Sequence, residues 1–114
     1  MHIHIVGIGG TFMAGIASIA KDMGYRVTGC DKKLYPPMSE VLQAKGIDVA
    51  FGYDDLPDEQ PDCYVVGNVG KRGMPIIEKI LQQRLPFNSG PQWLFENVLR
   101  SKRVVALAGT HGKT

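Results

Sequence analysis

The sequence predicts an α/β fold: a doubly wound sheet of about five parallel strands with helices packed against it. Three observations lead there. Short apolar runs alternate with segments whose apolar residues recur at helical spacing, the pattern of parallel strands joined by crossover helices. A glycine-rich turn, Gly7-Ile8-Gly9-Gly10, stands between the first run and the first helical segment. No internal repeat or low-complexity stretch interrupts the alternation.

The elements follow in order. Residues 2–6 form a first strand, ended by the glycines at 7, 9 and 10. His2 and His4 alternate with Ile3 and Ile5, which puts both histidines on one sheet face; two such residues alone are a weak basis for a metal site. Phe12, Ile16, Ile19, Ala20 and Met23 share one face of the helix that follows, and Gly24 ends it. Residues 26–30 are the second strand. After the Tyr35-Pro36-Pro37 break, Ser39 is placed to cap a short helix running to about Lys45, with Gly46 just past its end. Residues 47–51 make a weak third strand and 54–61 a loop. Residues 63–66 are a fourth strand with an apolar end, as a central parallel strand requires.

Pro75 suits the first turn of a helix striped by Ile76, Ile77, Ile80 and Leu81. Residues 85–88 are a brief fifth strand. Pro91 opens a last helix carrying Trp93, Leu94, Val98 and Leu99, for which Ser89-Gly90-Pro91 serves as a cap. Trp93 and Phe95 read as packing residues more readily than as a platform for a base. Residues 1–100 thus make one domain, 101–103 a polar linker, and 104–108 an additional strand leading into Gly109-Thr110-His111-Gly112-Lys113-Thr114.

Composition is ordinary for a soluble globular chain: 114 residues, 44% hydrophobic and 21% charged. A formal net charge of +2 gives no argument for nucleic acid or an anionic membrane. Cys30 and Cys63 lie in predicted strands without metal-ligand spacing and read as reduced, buried thiols. There is neither a basic leader with an apolar core nor an apolar run long enough to span a bilayer, so a cytoplasmic location is the expectation.

Two segments carry chemistry. The first, Gly7 to Phe12, follows a strand and opens a helix, the Rossmann-like context for holding a diphosphate at a helix N-terminus. Gly7 makes the tight turn and Gly9 lets backbone approach the phosphates. Asp31 ends the second strand, where an acidic side chain meets ribose hydroxyls in such folds. Phe12 departs from the nicotinamide-dinucleotide fingerprint, which asks for Gly or Ala there, so a dinucleotide-binding oxidoreductase module is the weaker reading. Asn68, after the fourth strand, stands at the carboxyl edge where ligands of open sheets lie, with Lys71 and Arg72 in the same loop; a turn-forming Asn and solvated basic side chains are the plainer alternatives.

The second segment, 109–114, lacks the glycine of a standard phosphate loop at position 107, which is Leu, but a buried strand delivers it. In such a loop Lys113 reaches the terminal phosphates of ATP and the Thr114 hydroxyl sits on Mg²⁺. The run reads as the first strand and a truncated phosphate loop of a following domain. On that basis the 114 residues are expected to hold no catalytic residue of their own and to be inactive when isolated. Residues 104–108, if unpaired, are expected to favour artefactual self-association.

Together these residues resemble the Mur ligase family, ATP-dependent enzymes of cell-wall synthesis whose central domain begins with a Gly-Thr-x-Gly-Lys-Thr/Ser loop, as at 109–114. Within it, Gly10-Thr11-Phe12-Met13, Tyr35-Pro36-Pro37-Met38-Ser39, Gly67-Asn68, Arg72-Gly73 and Ser89-Gly90-Pro91-Gln92-Trp93 are similar to members that recycle murein tripeptide. The L-alanine-adding members, with Gly-x-Gly-Gly-x-Gly-Met at the turn, match less well at Phe12. The resemblance implies binding of UDP-N-acetylmuramate by Gly7, Gly9, Gly10, Thr11, Phe12, Met13, Asp31 and Asn68. It implies binding of ATP by Gly109, Thr110, His111, Gly112, Lys113 and Thr114, with Mg²⁺ on Thr114. It also implies that the parent joins L-alanyl-γ-D-glutamyl-meso-diaminopimelate to the muramate carboxyl through an acyl phosphate. A non-catalytic nucleotide-sensing module would carry the same glycine turn.

Overall fold

The computed structural model describes residues 1–67 and 73–99. The expectations for Asn68, Lys71, Arg72, the 101–103 linker and 104–114 fall outside them.

Five parallel strands form one sheet in the order β3-β2-β1-β4-β5: β1 His2–Val6, β2 Arg26–Asp31, β3 Asp48–Phe51, β4 Cys63–Val66 and β5 Phe87–Ser89. β1 is central, with Ile3 opposite both Val27 and Cys63, and every residue of it is buried. The chain winds outward from β1 in one direction through α1 (Thr11–Asp22) and α2 (Met38–Ala44). It then crosses to β4 and winds the other way through α3 (Pro75–Gln82). Neighbouring strands β1 and β4 therefore lead in opposite directions, which leaves a crevice at their carboxyl ends.

Alternation along the strands divides the core in two. Ile3, Ile5, Val27 and Val65 pack with α1, with Leu42 of α2 and with Trp93 of α4 (Gly90–Leu94). Val6, Cys30 and Tyr64 pack with Ile76, Ile77 and Ile80 of α3. The α3 stripe matches expectation except that Leu81 is only half-buried. Cys30 is buried and Cys63 half-buried, and both are free thiols. A π-helical turn, Phe95–Leu99, continues from α4.

Several boundaries differ from the sequence expectation. α1 is rotated: Met13, Ala14, Ile16, Ala17 and Ala20 face the core, whereas Phe12, Ile19 and Met23 are exposed. Thr11, Gly15, Ser18 and Asp22 mark one stripe of the helix as the solvent side, but the apolar arc opposite is broad, and apolar spacing alone does not fix which part of it meets the sheet. The alanines decide it, because small side chains let α1 lie close to the sheet. Below it Gly29 leaves room for Ile8, whose Cδ1 stands only 2.6 Å from where a Cβ at 29 would be.

α2 begins at Met38 with Pro37 at its N-cap and no side-chain cap, so Ser39 sits inside the helix rather than capping it. Gly46, at φ +71°, follows its C-cap as expected. β5 starts at Phe87 rather than 85, because residues 84 and 85 are used in closing α3. Arg84 takes a left-handed φ of 55°, and its N–H and that of Leu85 donate to the carbonyls of Leu81 and Ile80. β2 extends one residue further, to Asp31.

Candidate functional site

The glycine turn is tied to β2. The N–H groups of Gly7 (2.8 Å) and Ile8 (3.2 Å) both donate to the Cys30 carbonyl, and Gly7 takes a φ of 86° that favours glycine. Gly10 N–H donates to the Gly7 carbonyl at 3.3 Å. Gly9 N–H donates to Asp31 Oδ2 at 2.7 Å.

Gly9 therefore has a structural role in this turn. Its N–H is taken by Asp31, and a Cβ there would stand 2.7 Å from Asp31 Oδ2 and 2.9 Å from Leu34 Cδ2. The missing side chain lets the Asp31 carboxylate approach the backbone.

Asp31 is likewise a structural hub. Its Oδ1 accepts from Lys32 N–H and from the Tyr53 hydroxyl, each at 2.7 Å. Burial, with the bond to Asp31 adding to it, pushes the Tyr53 hydroxyl up to about 12, so it remains a donor. Three of the roughly four acceptor positions of the carboxylate are thus used inside the chain. Tyr53 in turn accepts Ile76 N–H on its carbonyl at 2.9 Å, linking the turn to the start of α3. No feature of the sequence marks Tyr53, which lies in the loop after β3.

α1 opens directly from this turn. Its first ladder bond runs from Ala14 N–H to the Gly10 carbonyl at 2.8 Å. Gly10 is the N-cap, no side chain caps it, and no acidic residue occupies the first turn. The N–H groups of Thr11, Phe12 and Met13 precede that bond, and with them the positive end of the helix dipole.

They stand at a cavity of about 350 Å³ over the carboxyl ends of the strands. Gly7 and Gly10–Met13 line it from the turn and helix, Asp31 from β2, Val66 and Gly67 from β4, and Ser89, Gly90 and Pro91 from the β5–α4 junction. The cavity brings together every expected nucleotide-sugar residue among the described ones except Gly9, whose N–H is bonded to Asp31.

Met13 is buried and fills the space between two strand ends. A Cβ on Gly67 would meet its Cγ at 3.0 Å, and one on Gly90 its Sδ at 2.8 Å. Phe12 points away from the helix–sheet contact, 50% exposed. The small residue that a dinucleotide fingerprint needs there is consequently not required in this chain.

At the far side Ser89 caps α4, its Oγ accepting from Gln92 N–H at 3.2 Å, and also lines the cavity. Trp93 is buried, edge-on to Tyr25 at 6.1 Å, so it is a packing residue; Phe95 is exposed.

On the α3 side of the sheet His2 Nε2 and His4 Nδ1 both reach Thr28 Oγ1, at 2.9 and 2.7 Å. Burial, and secondarily His2, pushes the His4 imidazole down to about 4, so it is neutral at pH 7.

The chain's relatives agree with this architecture. Residues 2–102 match the family described as Mur ligase family, catalytic domain. The chain is 53% identical to the UDP-N-acetylmuramate–L-alanyl-γ-D-glutamyl-meso-2,6-diaminoheptandioate ligase of Haemophilus influenzae, over 99% of this chain and 25% of that protein. It is 38% identical to the UDP-N-acetylmuramate–L-alanine ligase of a Psychrobacter species, over 98% of this chain and 23% of that one. A crystal structure of the Neisseria meningitides UDP-N-acetylmuramate:L-alanyl-γ-D-glutamyl-meso-diaminopimelate ligase superposes with a TM-score of 0.83 at 60% identity, covering 87% of this chain and 31% of that one. The chain spans about a quarter of the length of the curated relatives it matches. With most of its length matched, and the crevice of the sheet built by the segments that carried the sequence resemblance, the chain belongs to the Mur ligase family.

Proposed function

We propose that this chain binds UDP-N-acetylmuramate for an ATP-dependent ligase that joins L-alanyl-γ-D-glutamyl-meso-diaminopimelate to it in cell-wall recycling. The observation that carries the reading is the uncapped, acid-free N-terminus of α1 opening on the crevice between β1 and β4. A diphosphate there meets the Thr11, Phe12 and Met13 N–H groups. The remaining acceptor position of Asp31 is left for a ribose hydroxyl, and the Asn68 amide is a further contact.

In the complete enzyme the muramate carboxylate attacks the γ-phosphorus of ATP, releasing ADP and forming an acyl phosphate. The peptide amine then attacks the acyl carbon and expels phosphate. Residues 1–100 are the nucleotide-sugar domain, 101–103 the linker, and 104–114 the start of the ATP-binding domain. Lys113 would hold the ATP phosphates and the Thr114 hydroxyl would hold Mg²⁺, which would neutralise charge developing during transfer. A cytoplasmic location goes with ATP and a nucleotide sugar as substrates; among the described residues no helix is long and apolar enough to cross a membrane.

A relative that adds L-alanine shares 38% identity, against 53% for the tripeptide-adding one. Both names contain the same nucleotide sugar, so the binding assignment for these residues is the same under either. Calorimetric titration of the chain with UDP-N-acetylmuramate, UDP and NAD tests it. Binding of both UDP compounds without NAD is expected, and tight NAD binding with no response to UDP compounds contradicts it.

A further inference from the structure

Resting on that assignment, we propose that Phe12, seated against Gly90, is the specificity-determining residue that takes the hexose of the nucleotide sugar. The Phe12 ring is half exposed at the second position of α1 and lines the cavity. Its Cε2 lies 3.0 Å from where a Gly90 Cβ would be, and Met13 Sδ and Ile16 Cδ1 crowd the same point at 2.8 and 3.2 Å. Gly90 is therefore the notch that seats the ring at the start of α4. Two segments far apart in sequence, Gly-Thr-Phe-Met and Ser-Gly-Pro-Gln-Trp, meet in this one contact.

The cavity is chemically two-ended. Asp31 marks the β2 side with a carboxylate, and among the described residues Phe12, Val66 and Pro91 give the β4–β5 side its apolar surface, beside the Ser89 hydroxyl that caps α4. The α1 N-terminus, where a diphosphate would sit, lies between them. In open sheets with an acidic residue at the end of the second strand, the ribose lies over that residue. The group on the other side of the diphosphate then projects over β4 and β5, onto Phe12. A pyranose ring offers an apolar C–H face, and N-acetylmuramate adds acetyl and lactyl methyl groups. An exposed aromatic ring suits these in a way that the Gly or Ala of a dinucleotide fingerprint does not.

The test compares UDP-N-acetylmuramate with UDP by calorimetry on the wild-type chain, Phe12→Ala and Gly90→Ala. Phe12→Ala is expected to lose at least tenfold in affinity for the nucleotide sugar and less than threefold for UDP. Gly90→Ala, which keeps the ring but fills its seat, is expected to show the same selective loss. Retained UDP binding shows in the same experiment that each variant is folded. Should Gly90→Ala fail to fold, Phe12→Leu replaces it, with an intermediate selective loss expected. Equal losses for both ligands would place Phe12 on the nucleotide half and overturn the inference, as would wild-type affinities in Phe12→Ala. A wild-type chain that binds neither compound would overturn the nucleotide-sugar assignment itself, and the inference with it.

Discussion

Asp31 shows how one side chain can hold a glycine turn in place through bonds inside the chain. Its carboxylate gathers the Gly9 N–H, the Lys32 N–H and the Tyr53 hydroxyl, so the conformation of the glycine turn depends on a loop that follows β3. Asp31→Asn replaces one acceptor oxygen by a donor NH₂ and must leave at least one partner unpaired. A loss of about 1–3 kcal/mol in chemical denaturation is expected, with Tyr53→Phe smaller, about 1 kcal/mol. If Asp31→Asn unfolds at the wild-type denaturant midpoint, the carboxylate is not the hub. Gly9→Ala forces a Cβ to 2.7 Å from Asp31 Oδ2 and should cost a similar amount, about 1–3 kcal/mol, as overpacking does. The residue types at this site were legible in the sequence, but their partners were not. Local spacing reports the position of Asp31 in a motif, whereas its contact with Tyr53 twenty-two residues away leaves no local trace.

His4 provides a prediction with a definite sign. Its folded pKa lies at about 4, below the ordinary 6.5, chiefly because it is buried. Above pH 6.5 both folded and unfolded chains hold it neutral, and it adds no pH dependence. Between 6.5 and 4 only the unfolded chain takes up the proton, so stability falls as pH falls, by on the order of 3 kcal/mol across the window. His4→Asn should flatten that part of a stability-versus-pH curve measured by urea denaturation. An unchanged slope in the variant would show that His4 is not responsible.

At the scale of elements, most of the winding was legible, and the errors share a cause. Strands β1 and β4 were bounded as expected because Gly7 ends β1 and the apolar β4 lies between Asp62 and Gly67. The face of α1 was not, since Phe12, Ile19 and Met23 border the buried stripe on one broad apolar arc opposite Thr11, Gly15, Ser18 and Asp22; close approach to the sheet favours Ala14, Ala17 and Ala20. Two substitutions separate the faces. Ile16→Ala should cost about 2–5 kcal/mol as a large-to-small change in the core. Ile19→Lys should change stability by no more than about 0.5 kcal/mol, as at an exposed position. Thermal denaturation giving the reverse order would mean that the helix is seated on its other face. β5 slipped by two residues for a different reason: Arg84 closes α3 in a left-handed conformation that glycine normally marks.

For the molecule as a whole, the strand order β3-β2-β1-β4-β5 fixes where a ligand belongs before any side chain is considered. The chain reverses its winding between β1 and β4, and the turn with the free helix N-terminus lies at that reversal. The alternation of elements and the glycine turn made this crevice legible. Its two-ended lining was not, because Ser89, Gly90 and Pro91 reach it only through the parallel pairing of β5 with β4.

The central claim is that a UDP-sugar diphosphate sits on the first turn of α1. Amide chemical-shift mapping of the chain during titration with UDP-N-acetylmuramate tests it most directly. Saturating shifts at the Thr11, Phe12, Met13 and Gly67 amides, with those of His4 and Thr28 unmoved, are the predicted result. Binding that leaves the Thr11–Met13 amides unshifted while perturbing another surface, such as the Asp54–Asp58 loop beyond β3, would contradict it.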